Sequence, residues 1–199
     1  MARIVLPAEP ISDGQTALRS WRDSDLSAIV AACQDPEIGR WTRVPMPYGE
    51  ADARAFLLER YDAIHAGRSA PFAIVAPVRA ELDGYVDPDL PDPGTLLGSI
   101  ALMRPAWEYA RAEVGYWLAR EARGRGHATR AVRLLCAWGF ATLGLERITL
   151  FAATGNRASQ GVAERAGFTR EAVLRSYIRN RHLRHDAVVY GLLAGESDS

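Results

Sequence analysis

The chain of 199 residues contains no lysine, so all 24 of its basic side chains are arginines. This absence excludes the P-loop nucleotidases, because their phosphate-binding loop depends on a lysine. It also excludes enzymes that hold pyridoxal phosphate as a lysine Schiff base. Composition alone therefore removes two large classes of phosphate-binding enzyme.

Cysteine and long apolar runs are also scarce. Cys33 and Cys136 fall in predicted helices and are expected to be small buried side chains, not a disulfide. The four histidines and two cysteines show neither CxxC nor HExxH spacing, so we expect no metal site. No apolar run is long enough for a membrane span and no signal peptide is evident, which favours a cytoplasmic protein with no membrane partner.

The charge of the chain is balanced overall but uneven along it. At this length, with 48% hydrophobic residues, one domain over residues 1–199 is expected. Residues 1–110 carry 10 Arg against 16 Asp and Glu, whereas residues 111–199 carry 14 Arg against 8. The basic C-terminal half suits a polyanionic ligand, although a single arginine is more often just a solvated surface residue.

Periodic patterns and turn residues predict the secondary structure. Ser24 is a suitable N-cap for a helix over 25–33, and Gly49 precedes a helix that ends near Gly67. Two more helices are predicted over 128–140 and 156–166. The predicted strands cover 15–21, 71–78, 95–103, 111–119, 145–154, 168–177 and 185–193. This order predicts a mixed sheet with helices on both faces, and the acidic segment 81–94 is predicted to be a mobile loop.

The most informative segment is the glycine-containing turn at 123–128, between the strand ending at 119 and the helix beginning at 128. Small residues at such a junction let a ligand approach the first N–H groups of the helix, where the helix dipole favours a phosphate. We expect the shape of this turn to depend on Gly124 and Gly126, with added charge from Arg123 and Arg125. The N–H groups expected to bind phosphate are those of Arg125, Gly126, His127, Ala128 and Thr129.

The pattern Arg123-x-x-Gly126-x-Ala128 resembles the acyl-CoA pyrophosphate loop of the GNAT superfamily of N-acetyltransferases. The segment 156–159 is similar to the family's Asn-x-x-Ser element, and 166–168 to its Gly-Phe helix exit. The segments 18–26, 35–41 and 185–190 resemble the RimJ/RimL-like branch, which acetylates ribosomal proteins. The resemblance covers a core of about residues 15–193 and several motifs in the same order, so it is specific for family and fold.

This resemblance implies the GNAT fold, an α/β fold with a mixed, mostly antiparallel, twisted sheet of about seven strands. It implies one N-acetyltransferase domain that transfers acetyl directly from acetyl-CoA to a primary amine, on a protein N-terminus or on a small molecule such as an amino acid, aminoglycoside or polyamine. The alternative is a non-catalytic acyl-CoA-binding regulatory module. A homodimer is a further expectation.

A direct nucleic-acid function is not expected, because the net charge is zero and no nucleic-acid motif is present. A basic cluster near Tyr177 contains the residues that a nucleic-acid-binding function would use: Arg170, Arg175, Arg179, Arg181 and Arg184.

The resemblance also suggests which residues act. Glu113, on the predicted fourth strand, is the candidate base that takes a proton from the amine, and Glu108 is its rival. Ser159 resembles the serine that lies near the CoA sulfur and protonates the thiolate, with Tyr177 as the alternative acid. Asn156 resembles the asparagine that binds the pantetheine arm, although both Asn156 and Ser159 also fit a simple helix cap.

Two further assignments concern the cofactor. The backbone groups of Leu118 and Ala119 are expected to contact pantetheine. Histidine as a residue type titrates near neutral pH, so His127 invites a catalytic role, but its position inside the turn favours a spacer.

Overall fold

The computed structural model describes residues 4–77, 92–180 and 183–196. One eight-stranded sheet runs through it in the order β1-β2-β3-β4-β5-β6-β8-β7. The strands are β1 (Ile11–Ser12), β2 (Ala17–Arg19), β3 (Ser69–Val75), β4 (Leu96–Ala106), β5 (Arg111–Leu118), β6 (Arg147–Ala153), β7 (Thr169–Asn180) and β8 (Leu183–Leu193).

Five α-helices are present within these ranges, together with three short 3-10 turns. The helices are α1 (Leu26–Ala32), α2 (Pro36–Trp41), α3 (Glu50–His65), α4 (His127–Leu143) and α5 (Arg157–Arg165). The 3-10 turns are Asp23–Asp25, Trp107–Tyr109 and Arg120–Ala122. None of the helices described is both long and apolar enough to cross a membrane.

The sheet is mixed because β5 and β6 run parallel, whereas the other neighbouring strands described are antiparallel. The parallel pairing begins at Arg111 with Arg147 and ends at Val114 with Leu150. Beyond that pair both strands continue, β5 to Leu118 and β6 to Ala153, so the two diverge. The sheet therefore opens in its middle, between two strands that both remain extended.

Helices cover both faces of the sheet. One face packs against α4 and α5, where the rings of Phe72 and Trp138 meet edge to face with centroids 5.2 Å apart. The opposite face packs against α1, α2 and α3, where Trp21 and Phe56 make a similar contact at 5.2 Å. Each large apolar side chain buried in this way contributes about 1.5–3 kcal/mol. Cys33 and Cys136 are buried free thiols, as predicted.

The predicted mixed, mostly antiparallel sheet with helices on both faces is confirmed, with eight strands in place of about seven. The additional strand is β1, which pairs with β2. With only two residues, β1 is too short to produce a periodic pattern in the sequence. The predicted strand 71–78 is β3, which ends at Val75. Residues 78–91, including most of the predicted acidic loop, lie outside the described residues.

The structure also corrects the start of the first helix. Ser24 lies inside the 3-10 turn and is not the N-cap. The carboxylate of Asp25 organises this corner, because it accepts the N–H of Arg22 at 2.9 Å and pairs with Arg19 through contacts of 2.8 and 2.6 Å. The helix α2 was not predicted, although Asp35 as N-cap and Pro36 at the first position are both start signals.

Candidate active site

The divergence of β5 and β6 opens a groove of about 1770 Å³. The second half of β5 has no pairing with β6, so its backbone polar groups on that side are open to a ligand. The beginnings of α4 and α5 border the groove, and α2 and α3 form the facing wall. A long ligand can therefore lie along β5 with one end at the start of α4.

The turn before α4 has the shape expected of a phosphate site. Gly124 and Gly126 both have positive φ, +76° and +83°, where a side chain would be strained. The hydrogen-bond ladder of the helix begins with the N–H of Arg130, which donates to the Gly126 carbonyl at 3.1 Å. The N–H groups before Arg130 therefore have no acceptor within the helix. The buried hydroxyl of Thr129 has no hydrogen-bond partner among the described residues. This unsatisfied hydroxyl at a helix N-terminus fits an anionic group.

The two arginines of the turn differ. Arg123 donates to the Leu118 carbonyl at 2.9 and 3.3 Å and forms an ion pair of 2.7 Å with Asp35, without a well-aligned hydrogen bond. The sequence suggested that Arg123 adds charge for phosphate, but its guanidinium is engaged in holding the turn to the N-cap of α2. Arg125 is exposed beside the turn.

The His127 ring is buried and is bound at Nδ1 to the Thr16 hydroxyl at 2.9 Å. Burial lowers the pKa of His127, and the nearby charges of Arg125 and Arg130 lower it further. A neutral imidazole in this position attaches the turn to the chain before β2. This geometry agrees with a spacer that anchors the turn.

Acid should therefore weaken the fold through His127. Its pKa is lower in the folded than in the unfolded protein, so its contribution is complete above about pH 6.5 and is lost as the pH falls below that value. We expect the melting temperature of His127→Gln to depend less on pH than that of the wild type between about pH 7.5 and pH 5. The matched control is His65→Gln, at an exposed histidine on α3, which should keep the wild-type slope. Equal slopes in both variants would contradict the assignment.

The predicted pantetheine contacts need a correction. Ala119 is not among the described residues that line the groove. Both of its backbone groups are also engaged, because its N–H donates to the Leu97 carbonyl at 2.8 Å and its carbonyl accepts the N–H of Ala122 at 3.1 Å. Leu118 does line the groove, but its carbonyl is taken by Arg123. Tyr116 and Trp117, the two residues of β5 before Leu118, also line the groove.

Glu113 lies at the groove and Glu108 does not. The Glu113 side chain is 23% exposed, lines the groove from β5, and accepts a hydrogen bond from Arg104 at 2.8 Å. Glu108 is exposed on the 3-10 turn after β4 and is not among the described residues that line the groove. The structure therefore places only one of the two candidate carboxylates, Glu113, at the groove among the described residues.

The start of α5 brings together Asn156, Ser159 and a residue that the sequence did not single out. Asn156 is the N-cap, and its Oδ1 accepts the Ser159 N–H at 3.1 Å. The Ser159 hydroxyl lies 3.0 Å from the hydroxyl of Tyr116 on β5. Burial raises the pKa of Tyr116 to about 12, against the opposing effects of this hydrogen bond and of the Arg165 charge. No local pattern predicts this contact, because it depends on where α5 crosses β5.

The alternative acid, Tyr177, is 46% exposed and stacks on Phe151 of β6, with ring centroids 4.8 Å apart. It lines the groove on β7. Near the end of the same strand, the buried Asn180 amide donates to the Gly39 and Arg40 carbonyls at 3.1 and 2.7 Å. Asn180 therefore fixes the C-terminal end of α2 against β7, a role that the sequence did not reveal.

Comparison with known proteins agrees with this geometry. The chain is 38% identical to the Putative ribosomal N-acetyltransferase YdaF of Bacillus subtilis (strain 168) over 117 residues, which cover 59% of this chain and 63% of that protein. The match thus spans less than two thirds of that relative's length.

Solved structures show the same fold at low identity. Mycobacterium smegmatis RimJ, in complex with CoA-disulfide, superposes with a TM-score of 0.75 at 22% identity, covering 92% of this chain and 84% of that one. The Microcin C7 self immunity acetyltransferase MccE, in complex with acetyl-CoA and AMP, superposes with a TM-score of 0.77 at 16% identity. The superposition covers 92% of this chain and 94% of that one.

The family assignment follows from the sequence match. Residues 15–169 match the model of the acetyltransferase (GNAT) domain, which is more than half of the chain. The turn at 123–128 and the opening between β5 and β6 lie within the matched region. The family predicted from the sequence is therefore confirmed, and the chain belongs to the GNAT acetyltransferases.

Proposed function

We propose that the protein is an acetyl-CoA-dependent N-acetyltransferase that moves an acetyl group directly to a primary amine, on a protein N-terminus or a small molecule. One observation carries the proposal: the N-terminus of α4, where the Thr129 hydroxyl has no partner among the described residues, lies at a groove bordered by the part of β5 that does not pair with β6. A helix N-terminus suits a diphosphate, and an extended strand suits an amide-containing arm. Acetyl-CoA has both groups and supplies the activated acyl group.

The residues of this chain then have separate tasks. The N–H groups at the start of α4 hold the diphosphate, while Arg123 and His127 keep the turn in place through Asp35 and Thr16. Glu113 accepts a proton from the amine. Ser159 donates a proton to the departing thiolate, with Tyr177 as the alternative donor. Positioning supplies much of the rate, because amines attack thioesters readily once oriented.

Binding and transfer can be tested separately. Acetyl-CoA at ~100 times its dissociation constant should stabilise the fold by roughly 2.7 kcal/mol, visible as a thermal shift, whereas NAD and ATP at equal concentration should not. Thiol release with a panel of amines then tests transfer. No thermal shift at millimolar acetyl-CoA would contradict the proposal. A shift with no thiol release for any amine would instead favour the acyl-CoA-binding regulatory module.

The lining of the groove carries surplus positive charge. Three of its acids are paired with arginines: Glu37 with Arg40, Glu59 with Arg60, and Glu113 with Arg104. The fourth, Asp52, accepts the Gly49 N–H at 2.8 Å. Four exposed arginines of the groove have no ion pair with a described acid: Arg43, Arg68, Arg165 and Arg179. This balance disfavours polycationic acceptors.

A peptide with acidic residues after its free N-terminus should therefore be a better acceptor than spermidine or an otherwise equal basic peptide. Four unit charges at about 10 Å in water contribute roughly 1.7 kcal/mol, which is somewhat more than tenfold in kcat/KM. The preference should shrink in high salt and in the Arg68→Gln/Arg179→Gln variant. Equal use of acidic and basic peptides at low salt would contradict this charge preference.

A further inference from the structure

The contact between Tyr116 and Ser159 joins two elements across the opening of the sheet. Tyr116 lies two residues beyond Val114, where β5 and β6 cease to pair, and Ser159 lies in the first turn of α5. Their hydroxyls are 3.0 Å apart, and both residues line the groove. The pair is thus placed beside any ligand that runs along the unpaired part of β5.

Both hydroxyls are held in place by other contacts. The Ser159 backbone N–H is fixed by Asn156 at 3.1 Å, so its side chain projects from a capped helix end. Tyr116 pairs with Ile100 of β4, and its ring packs against the large core cluster. Burial keeps the pKa of Tyr116 at about 12, so its phenol holds its proton across the neutral range. A rigid, protonated donor next to a serine hydroxyl can resupply that hydroxyl.

We propose that Tyr116 is a positioning residue that passes a proton to Ser159, so that the two hydroxyls act as a relay to the departing thiolate. The inference rests on the proposed acetyl transfer and goes beyond it by adding a second group to the acid side of the site.

The step balances in atoms and charge. The C–N bond to the amine forms and the C–S bond breaks. Ser159 Oγ gives its proton to the thiolate, and Tyr116 gives its proton to Ser159 Oγ. The Tyr116 oxygen regains a proton from solvent, while the proton lost by the neutral amine leaves through Glu113. The net change is one proton from amine to thiol, and no other reactant is consumed.

The Tyr116 phenol is useful in the relay because a phenol is a stronger acid than the aliphatic hydroxyl of Ser159. An aliphatic hydroxyl is a much weaker acid than a thiol, whose pKa is about 8.5, so donation by serine alone would leave a costly alkoxide. Simultaneous donation by a phenol places the charge on the aromatic oxygen instead. The Arg165 charge lowers the pKa of Tyr116 and so favours that phenolate while it exists.

A double-mutant cycle tests the relay, using the single-turnover rate at saturating substrates and the Kd for acetyl-CoA. Tyr116→Phe and Ser159→Ala should each slow transfer by about 10- to 100-fold, near the lower limit for general acid catalysis. The double variant should be no slower than the slower single variant, because both changes interrupt one path. The Kd should stay within about threefold. The matched control is Tyr109→Phe, an exposed tyrosine outside the groove, which should leave the rate unchanged.

A proton inventory in mixed H₂O and D₂O adds a readout that a structural role would not change. The wild-type rate should depend on deuterium fraction along a curve, since two protons move together, and Tyr116→Phe should give a straight line. A straight line in the wild type overturns the relay even if the variant does not fold. Multiplied losses in the double variant, an unchanged rate in Tyr116→Phe, or a change in Kd alone also overturn it. Wild-type protein that binds acetyl-CoA but acetylates no amine refutes the proposed function itself, before any variant is made.

Discussion

Replacing Gly126 by alanine is expected to weaken acetyl-CoA binding by about 10- to 100-fold, the value of one hydrogen bond to a charged group. The cause is conformational, because Gly126 has φ +83° and the nearest atom to an added Cβ is Arg130 Nε at 3.9 Å. A left-handed conformation costs an L-residue about 1–2 kcal/mol. The turn relieves this strain by rotating, which moves the N–H groups away from the phosphate. Isothermal titration calorimetry measures the loss directly.

Gly144→Ala is the matched control, since it imposes a similar strain on the same helix. Gly144 is the C-cap of α4, with φ +64° and no atom within 4 Å of an added Cβ, and it lies outside the groove. Both variants should melt at lower temperature by similar amounts, but only Gly126→Ala should lose affinity. Equal losses of affinity in the two variants would mean that general destabilisation, not the turn, is responsible.

Glu113→Gln is expected to slow acetyl transfer by about 10²- to 10³-fold while leaving the Kd for acetyl-CoA unchanged. The amide is nearly isosteric and can still accept the hydrogen bond from Arg104, so the groove keeps its shape. It cannot take a proton at neutral pH, so the amine loses its base. Single-turnover rates with saturating amine, together with a titration of acetyl-CoA, separate chemistry from binding.

Glu108→Gln provides the control for this prediction, because Glu108 is an exposed carboxylate near the same end of the sheet. Its rate should stay within about twofold of the wild type, as is usual for a surface change away from the chemistry. A loss in Glu108→Gln with none in Glu113→Gln would reverse the two roles. Full rates in both would show that neither carboxylate is the base.

The features that the sequence predicted are those encoded by neighbouring residues. The strand over 111–119, the glycines before α4 and the cap at Asn156 each depend on a few consecutive positions, and all three are present. The family resemblance likewise rests on short segments in a fixed order. Local chemistry therefore sufficed for the fold and for the shape of the turn before α4.

The missed features join residues that are distant in the chain. Tyr116 and Ser159 are 43 positions apart, and Thr16 and His127 are 111 apart. Whether Arg123 meets a phosphate or Asp35 depends on where α2 lies, and α2 has only six residues, too few for a helical period. These contacts are set by the packing of helices on the sheet, which one sequence does not reveal.

The helix α2 contacts a different part of the groove at each of its ends. At its start, Asp35 pairs with Arg123 from the turn before α4. At its other end, two carbonyls accept from Asn180 on β7. We therefore expect α2 to transmit a displacement of the turn to β7. Binding at the turn is therefore expected to alter the opposite end of the groove, beside Asn180.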